Sequence, residues 1–164
     1  MAGYSQRYNK PLGDGRIGPN PDALERTGPV VPVQVGIPAA LARQFESAGD
    51  AIPEPAVGYA LVDTGANISA VDEPILTRLG VSPVGRLSVV TAHGIAEGKL
   101  EYPGRFLFPG TTLQPREFAR LLGIDLRGYR SQQGPTIIAL LGRDVLRDYV
   151  LVYDGPGAYF TLTG

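Results

Sequence analysis

Short apolar stretches separated by glycine and proline dominate the hydrophobic pattern of this 164-residue chain. In residues 29–38, Val31, Val33 and Val35 fall on one face of an alternating pattern, which predicts a strand with one buried face. Residues 136–141 are continuously apolar, which is typical of a buried strand. The 22 glycines and 15 prolines lie between such runs. This spacing of turn-forming residues predicts a β-rich fold.

Several further strands are predicted from the same pattern, at residues 59–63, 68–71, 86–92, 100–108, 150–153 and 158–162. The polar, glycine-containing residues 93–98 separate two of these strands and predict the tip of a long β-hairpin. Residues 154–157 read Asp-Gly-Pro-Gly and predict the turn of a final hairpin.

Helical signals are short and few. Asp72 is predicted as the N-cap of a helix that ends at Gly80. Two more short helices are predicted at residues 115–122 and 143–148, and residues 39–48 are either a short helical turn or a loop insertion. The fold class that follows is all-β or mainly β, in a single-lobe domain with one or two short helices.

The chain is predicted to consist of two parts. Residues 1–28 are rich in glycine and proline and have little to bury, which predicts a flexible N-terminal arm. The predicted domain occupies residues 29–164. Because the arm lacks an apolar core like that of a signal peptide, and no apolar run approaches a membrane span, neither secretion nor membrane insertion is expected.

The charge and composition of the chain exclude several function classes. Fifteen basic and sixteen acidic residues give a net charge of −1. No long basic block is present, so nucleic acid is not an expected partner. The absence of cysteine excludes disulfides and thiol catalysis and fits a reducing compartment, so a cytoplasmic location is expected. With one histidine, His93, a histidine-based metal site is not expected either.

Asp63 is the main candidate for chemistry. It ends an apolar run and is followed directly by a small hydroxyl residue and a glycine. An ionisable acid beside a buried strand is costly unless something compensates for its burial. One interpretation is a structural aspartate that caps a turn, and the other is a catalytic acid.

Two motifs together favour the catalytic interpretation. Residues 61–66 read Leu-Val-Asp-Thr-Gly-Ala, and residues 137–146 read Ile-Ile-Ala-Leu-Leu-Gly-Arg-Asp-Val-Leu. With a hairpin between them, they resemble the retropepsin-like aspartic proteases, the single-lobe family that includes the retroviral proteases. The resemblance covers roughly residues 29–164 and implies an acid-protease barrel.

The resemblance implies an aspartic endopeptidase that needs no cofactor or metal. Such an enzyme activates water with two carboxylates that share one proton. The chain has one Asp-Thr-Gly motif, and Asp154 is better explained as a turn residue. The second carboxylate must therefore be Asp63 of another copy, which implies a symmetric homodimer acting on a peptide or protein substrate.

Other residues take roles from the same resemblance. Thr64 would brace the two Asp63 loops across the dimer, and Gly65 would let the backbone approach the substrate. Ala66 would keep the site free of bulk. Gly142 and Arg143 would support the catalytic loop without touching the substrate.

The hairpin tip at residues 91–98 would be a flap over the peptide, which makes His93 and Gly94 candidates for substrate contact. For His93, a simple surface-loop position is the alternative. Asn67 departs from the family pattern, because the retroviral enzymes usually have an aspartate there that pairs with the arginine of the later motif. Arg143 is therefore expected to use Asp144, Asp148 or another acceptor.

Two other functions stay open. The fold could serve as a dimerisation or peptide-binding module with little or no proteolysis. Alternatively, the chain could be a protease that cleaves its own N-terminal arm.

Overall fold

The structure is a computed structural model that describes residues 2–91, 94–129 and 134–164. Strands account for 46% of the chain and helices for 20%, which confirms the mainly β prediction. The strands are Gly3–Arg7 (β1), Asn9–Pro11 (β2), Ile17–Pro19 (β3), Val30–Gly36 (β4), Ala56–Val62 (β5), Ala70–Asp72 (β6), Gly85–Thr91 (β7), Gly94–Leu107 (β8), Arg116–Ile124 (β9), Ile137–Leu141 (β10), Val150–Asp154 (β11) and Tyr159–Thr163 (β12). The helices are Pro21–Thr27 (α1), Ala39–Ala48 (α2), Glu73–Arg78 (α3) and Arg143–Leu146 (α4), with a 3₁₀ turn at Arg127–Tyr129.

Six strands close into a barrel in the order β4, β5, β10, β6, β9 and β8. Pairing of β4 with β8 completes the ring, so these strands present no free edge over the paired segments. The strand β7 lies outside the ring and pairs with β8 alone, as the first arm of a hairpin. The strand β10 lies between β5 and β6, parallel to β5 and antiparallel to β6.

Two apolar clusters occupy opposite faces of the barrel strands. In β4, Val31, Val33 and Val35 are fully buried in the larger cluster, as the alternating pattern predicts. Phe106 packs against Phe118 in the same cluster, with ring centroids 4.7 Å apart. The smaller cluster contains Val30, Ala70, Leu122, Leu126, Ile137 and Leu140, with the partly buried Leu61, Ile68, Leu87 and Ile124 beside it. The barrel wall is therefore apolar on both faces along β4, β5, β6, β9 and β10.

Residues 3–28 differ from the expected flexible arm. The strand β1 pairs with β12 in antiparallel register, and with β11 they form a three-stranded sheet. Tyr4 packs on Phe160 with ring centroids 5.8 Å apart, and Leu24 of α1 is fully buried. The apolar side chains of this segment are too scattered to form a pattern of their own. They become buried because the distant strand β12 offers β1 a hydrogen-bonding edge.

The helix predicted at residues 115–122 was wrong. These residues belong to β9, which pairs antiparallel with β8 and parallel with β6. Leu121 and Leu122 are buried in opposite clusters, because successive residues of a strand point to opposite faces. The two consecutive leucines are therefore each buried in an apolar cluster, one on either side of the barrel wall. This burial in the folded chain outweighs the local preference for a helix.

Asp72 stands at the predicted N-cap position of α3, but its side chain makes no capping hydrogen bond. Its carboxylate, which is 1% exposed, instead accepts a hydrogen bond of 3.0 Å from the backbone N–H of Leu126. Asp72 therefore fixes the loop that follows β9 rather than the helix it precedes.

Most of the remaining predicted elements are confirmed, but the hairpin tip predicted at residues 93–98 was too long. Residues 94–98 belong to β8, because its pairing with β7 continues as far as Gly94. Strands occur at residues 30–36 and 137–141, a helix occupies residues 39–48, and a short helix begins at residue 143. The final hairpin turns at residues 155–158, one residue later than predicted, and Asp154 Oδ1 accepts a hydrogen bond of 2.7 Å from the N–H of Gly157. The tip residues Ala92 and His93 of the predicted flap lie outside the described residues.

Packing of β1 against the C-terminal strands predicts a stability effect at its inward side chain. Tyr4→Ala removes the ring that contacts Phe160 and should lower the free energy of unfolding by about 2 kcal/mol. Urea unfolding measures this difference. The neighbouring Ser5 is exposed, so Ser5→Ala is the matched control and should change stability by less than about 0.5 kcal/mol. Equal stability of the two variants would contradict a packed role for β1.

Candidate active site

Asp63 lies immediately beyond the end of β5, beside the end of β10. The two strands are parallel, with Leu61 level with Leu140 and Val62 level with Leu141. The backbone N–H of Asp63 continues this pairing by donating to the carbonyl of Leu141 at 2.9 Å. Parallel pairing therefore brings the two motifs, which are about eighty residues apart in sequence, to one end of the barrel.

The two oxygens of the Asp63 carboxylate have different surroundings. Oδ1 accepts hydrogen bonds from the backbone N–H groups of Gly65 at 2.9 Å and Ala66 at 3.3 Å. Oδ2 accepts no hydrogen bond from any described residue, and the side chain is partly exposed. One oxygen thus closes an Asx-type turn, while the other is free to meet an external group. The turn-capping and the chemical interpretations of Asp63 are therefore compatible.

Thr64 and Gly65, at the tip of this turn, are both exposed. Within the described chain, the Thr64 hydroxyl has no hydrogen-bond partner. An added Cβ on Gly65 would lie 3.1 Å from Asp63 Oδ1, tighter than usual packing. The glycine thus leaves room for the bent carboxylate, and the exposed tip is accessible to a second molecule.

Gly142 lies where the end of β10 crosses the loop that leads into β6. A Cβ on this residue would lie 2.6 Å from the carbonyl carbon of Ile68 and 2.9 Å from the backbone nitrogen of Ser69. The backbone of Gly142 is extended, so the requirement for glycine comes from close approach and not from its φ angle. Its N–H donates to Ser69 Oγ at 3.0 Å. The crossing is therefore fixed by contact and by a hydrogen bond.

Ser69 and Asp144 form a buried link that the sequence patterns do not reveal. Ser69 Oγ donates to Asp144 Oδ1 at 2.7 Å, and Ser69 N–H donates to Oδ2 at 3.1 Å. The side chain of Asp144 also accepts from the N–H of Val145 at 3.0 Å, in the first turn of α4. Serine before an apolar strand is common, so the only available signal was Asp144 in the Gly-Arg-Asp run.

Arg143 binds backbone carbonyl groups of the candidate catalytic loop with both its own N–H and its side chain. Its N–H donates to the carbonyl of Ala66 at 2.9 Å, and Nη1 donates to the carbonyl of Thr64 at 2.7 Å. The acceptor is thus neither Asp144 nor Asp148, which were two of the three expected options. Asn67 is exposed, and its side chain makes no hydrogen bond to a described residue. A backbone carbonyl takes the place of the expected charged partner.

The predicted flap corresponds to the β7–β8 hairpin. Gly94 begins β8 opposite Thr91 and has a φ of +115°, a conformation that favours glycine. Near the tip, Val90 is 86% exposed and Ile95 is 68% exposed, which leaves apolar side chains in solvent. At the base, Leu87 packs against the smaller apolar cluster, which Leu61 also contacts. The hairpin and the strand that carries Asp63 therefore share one face.

A groove of about 690 Å³ adjoins this face. Leu61 and Ile137 contribute apolar wall, and Tyr129 adds an aromatic ring. Gly28, at the end of α1, also lines it, and a Cβ there would lie 2.9 Å from the Leu61 side chain. Leu61 is two residues before Asp63, but neither Asp63 nor any described residue of the β7–β8 hairpin lines the groove.

Tyr102, at the base of the hairpin, has a perturbed ionisation. Its hydroxyl donates to Glu73 Oε1 at 2.7 Å, and the residue is 4% exposed. Burial, reinforced by the carboxylate of Glu73, raises the pKa of Tyr102 to about 12. The hydroxyl therefore stays protonated at ordinary pH and keeps β8 tied to α3.

The described residues contain neither a metal-binding cluster nor a helix suited to a membrane. Within residues 2–91, 94–129 and 134–164, no group of three or more histidine, cysteine or acidic residues could hold a metal ion. None of the described helices has the length and apolar character needed to cross a membrane.

Comparison of the chain with protein-family models and with curated protein sequences finds no match. The functional interpretation therefore depends on the residues and geometry of this chain.

The buried link at the loop crossing predicts a large effect from a small substitution. Ser69→Ala leaves the N–H of Gly142 without its acceptor and Asp144 without its hydroxyl donor, so stability should fall by about 2 kcal/mol. Thermal or urea unfolding measures the change. Ser82 is exposed, and Ser82→Ala should stay within about 0.5 kcal/mol of the parent. A neutral Ser69→Ala would show that the crossing does not depend on this bond.

Proposed function

We propose that this protein is an aspartic endopeptidase whose active site forms between two copies of the chain, each contributing Asp63. The observation that carries the proposal is the asymmetric setting of the carboxylate. Two backbone N–H groups hold Oδ1, while Oδ2 has no partner among the described residues. A fixed carboxylate with one free oxygen is suited to share a proton with an identical group.

The proposed mechanism requires two carboxylates and one proton. Two such groups in contact cannot both ionise easily, so the pair holds one shared proton at mildly acidic pH. The ionised member takes a proton from water as its oxygen attacks the scissile carbonyl carbon, and the protonated member donates to the carbonyl oxygen. Proton transfer to the departing amine then accompanies cleavage of the C–N bond. Activity should therefore favour mildly acidic pH.

A second copy of the chain is needed because the other two candidate acids, Asp144 and Asp154, are already engaged by hydrogen bonds from other residues of the chain. Asp144 lies on the adjacent loop, but its oxygens accept three hydrogen bonds from Ser69 and Val145. Asp154 closes the turn of the final hairpin through its bond to Gly157. Neither has the setting of Asp63, and a two-fold dimer provides an equivalent partner by symmetry.

The face around Asp63 supports an extended peptide as the substrate. Main-chain hydrogen bonds can hold a peptide between the β7–β8 hairpin and the exposed backbone of Gly65. The apolar side chains of Leu61 and Leu87 both pack against the smaller apolar cluster, and Leu61 also lines the groove of about 690 Å³. Thr64, exposed beside Asp63, would brace the two loops across the dimer. The absence of cysteine is compatible with the cytoplasm as the proposed location.

Replacing the proposed catalytic acid provides the direct test. Asp63→Asn removes the ionisable group while keeping the shape and the Oδ1 acceptor, so the folded variant should lose at least about a thousandfold in kcat. Hydrolysis of a quenched-fluorescence peptide library measures the rate, and circular dichroism checks the fold. Asp154→Asn makes the same chemical change at the turn and should retain activity. Unchanged cleavage by folded Asp63→Asn would sink the proposal.

Dilution separates the dimeric protease from a dimerisation or peptide-binding module. If both carboxylates come from different copies, activity per chain should fall as the protein is diluted below its dimer dissociation constant. Rates at a series of concentrations, with sedimentation at the same concentrations, measure this dependence. Constant activity per chain down to the monomeric range would exclude the shared site. Peptide binding without hydrolysis at every concentration would favour the module.

A further inference from the structure

The β7–β8 hairpin leaves the barrel at Glu101. This residue is opposite Gly85 of β7 on one side and opposite Leu122 of β9 on the other. Residues of β8 before it pair with β7 alone, whereas those after it pair with β9 in the barrel wall. Glu101 is therefore the junction between the hairpin and the barrel.

Glu101 is unusual for an acid in this position. Its side chain is 6% exposed and accepts no hydrogen bond from any described residue. The charge is compensated by Arg120, whose Nη1 lies 3.6 Å from Oε2 and whose side chain is 68% exposed. Burying a carboxylate with one long ion pair does little for stability, because desolvation opposes the attraction. A contribution to the geometry of the hairpin is a better explanation for its presence.

The neighbouring strand leaves space for this carboxylate. A Cβ on Gly85 would lie 2.7 Å from Glu101 Oε2, so the carboxylate would have to shift to make room for it. On the opposite face of β8, Tyr102 meets a second glycine, since a Cβ on Gly123 would lie 2.8 Å from its ring. The junction is thus held on both faces, by Glu101 against β7 and by Tyr102 against β9.

Lys99 and Leu87 lie on the same face of the hairpin as Glu101, as the strand register shows. Leu87 packs on the smaller apolar cluster, which extends to Leu61, two residues before Asp63. A change of angle at Glu101 would therefore move the hairpin relative to the face that carries the candidate catalytic acid.

We propose that Glu101 is a positioning residue that, paired with Arg120 and seated against Gly85, sets the angle at which the β7–β8 hairpin leaves the barrel. This inference rests on the proposed function, in which the hairpin covers the peptide. The pair at 3.6 Å on an exposed arginine holds one hairpin orientation without locking it, so the hairpin can yield when substrate enters.

Amide hydrogen exchange tests the inference without requiring hydrolysis. Glu101→Gln keeps the size of the side chain and removes its charge, so residues 86–91 and 94–100 should exchange about fivefold faster. The strands β11 and β12 report on the rest of the molecule and should be little changed. Arg120→Gln removes the exposed partner of the pair and should accelerate hairpin exchange to the same extent. This variant replaces Glu101→Gln as the test if Glu101→Gln does not fold.

The matched control is a second ion pair between the same two strands. Arg105 and Glu117 lie 3.1 Å apart within the barrel segment of β8 and β9, away from the hairpin. Glu117→Gln makes the identical chemical change and should leave exchange in the hairpin as it is in the parent. Unchanged hairpin exchange in folded Glu101→Gln and Arg120→Gln would overturn the proposal, as would acceleration spread equally over all strands.

A double-mutant cycle tests the contact with Gly85. Gly85→Ala should accelerate hairpin exchange when Glu101 is present, because the new methyl group displaces the carboxylate. In the Glu101→Ala background the same substitution should have little effect, since the space is then empty. Additive effects would overturn the inferred contact.

Kinetics distinguish this role from a catalytic one. In an active enzyme, Glu101→Gln should raise KM about fivefold with little change in kcat, because the hairpin contributes to holding the peptide. An equal loss in kcat at unchanged KM would overturn the positioning role. If the parent protein shows no hydrolysis, the protease proposal fails, while the exchange measurements still decide the role of Glu101.

Discussion

The passage of β10 between β5 and β6 is the constraint on which the candidate site depends. The strands β5 and β6 are consecutive along the chain, so the loop that connects them must cross the end of β10, which lies between them in the barrel. The crossing is close enough that a Cβ on Gly142 would overlap the backbone of Ile68. Ser69 and Asp144 then join the two segments by buried hydrogen bonds. Local chemistry at the crossing therefore fixes the loop that carries Asp63.

Asp63 shows how a structural and a chemical role can belong to one carboxylate. Its Oδ1 completes the turn through Gly65 and Ala66, which orients the group without enclosing it. The turn is supported from below by Arg143, whose backbone and side chain both donate to loop carbonyls. Because these contacts use backbone acceptors, they do not require a charged side chain at Asn67. The loop is hydrogen-bonded where it meets the barrel and exposed at Thr64 and Gly65.

The barrel wall also explains why the hairpin and the strand before Asp63 pack against one apolar cluster. Strands with apolar side chains on both faces contribute to two clusters, and the smaller cluster connects Leu61, Leu122 and Leu87. Glu101 is placed at the edge of this surface, where a buried charge is expensive. In the proposed role of Glu101, this polar junction beside the apolar cluster sets the orientation of the hairpin.

The sequence alone determined the features that local patterns encode. Alternation in β4, the apolar run of β10 and the turn signal of the final hairpin each predicted the local structure correctly. They did so because period, turn chemistry and glycine content act over a few residues. The same local view marked Asp63 as an acid in need of an explanation.

Tertiary structure decided what depends on distant partners. The strand β1 forms because β12 offers it an edge, and β9 is a strand because its leucines face two clusters at once. The pairing of Ser69 with Asp144 and of Arg143 with Thr64 joins residues at least 75 positions apart. No periodicity records such contacts, since they arise only when β10 inserts beside β5. The sequence thus identified Asp63 as the candidate catalytic acid. The folded chain decided which of its two carboxylate oxygens has no hydrogen-bond partner among the described residues.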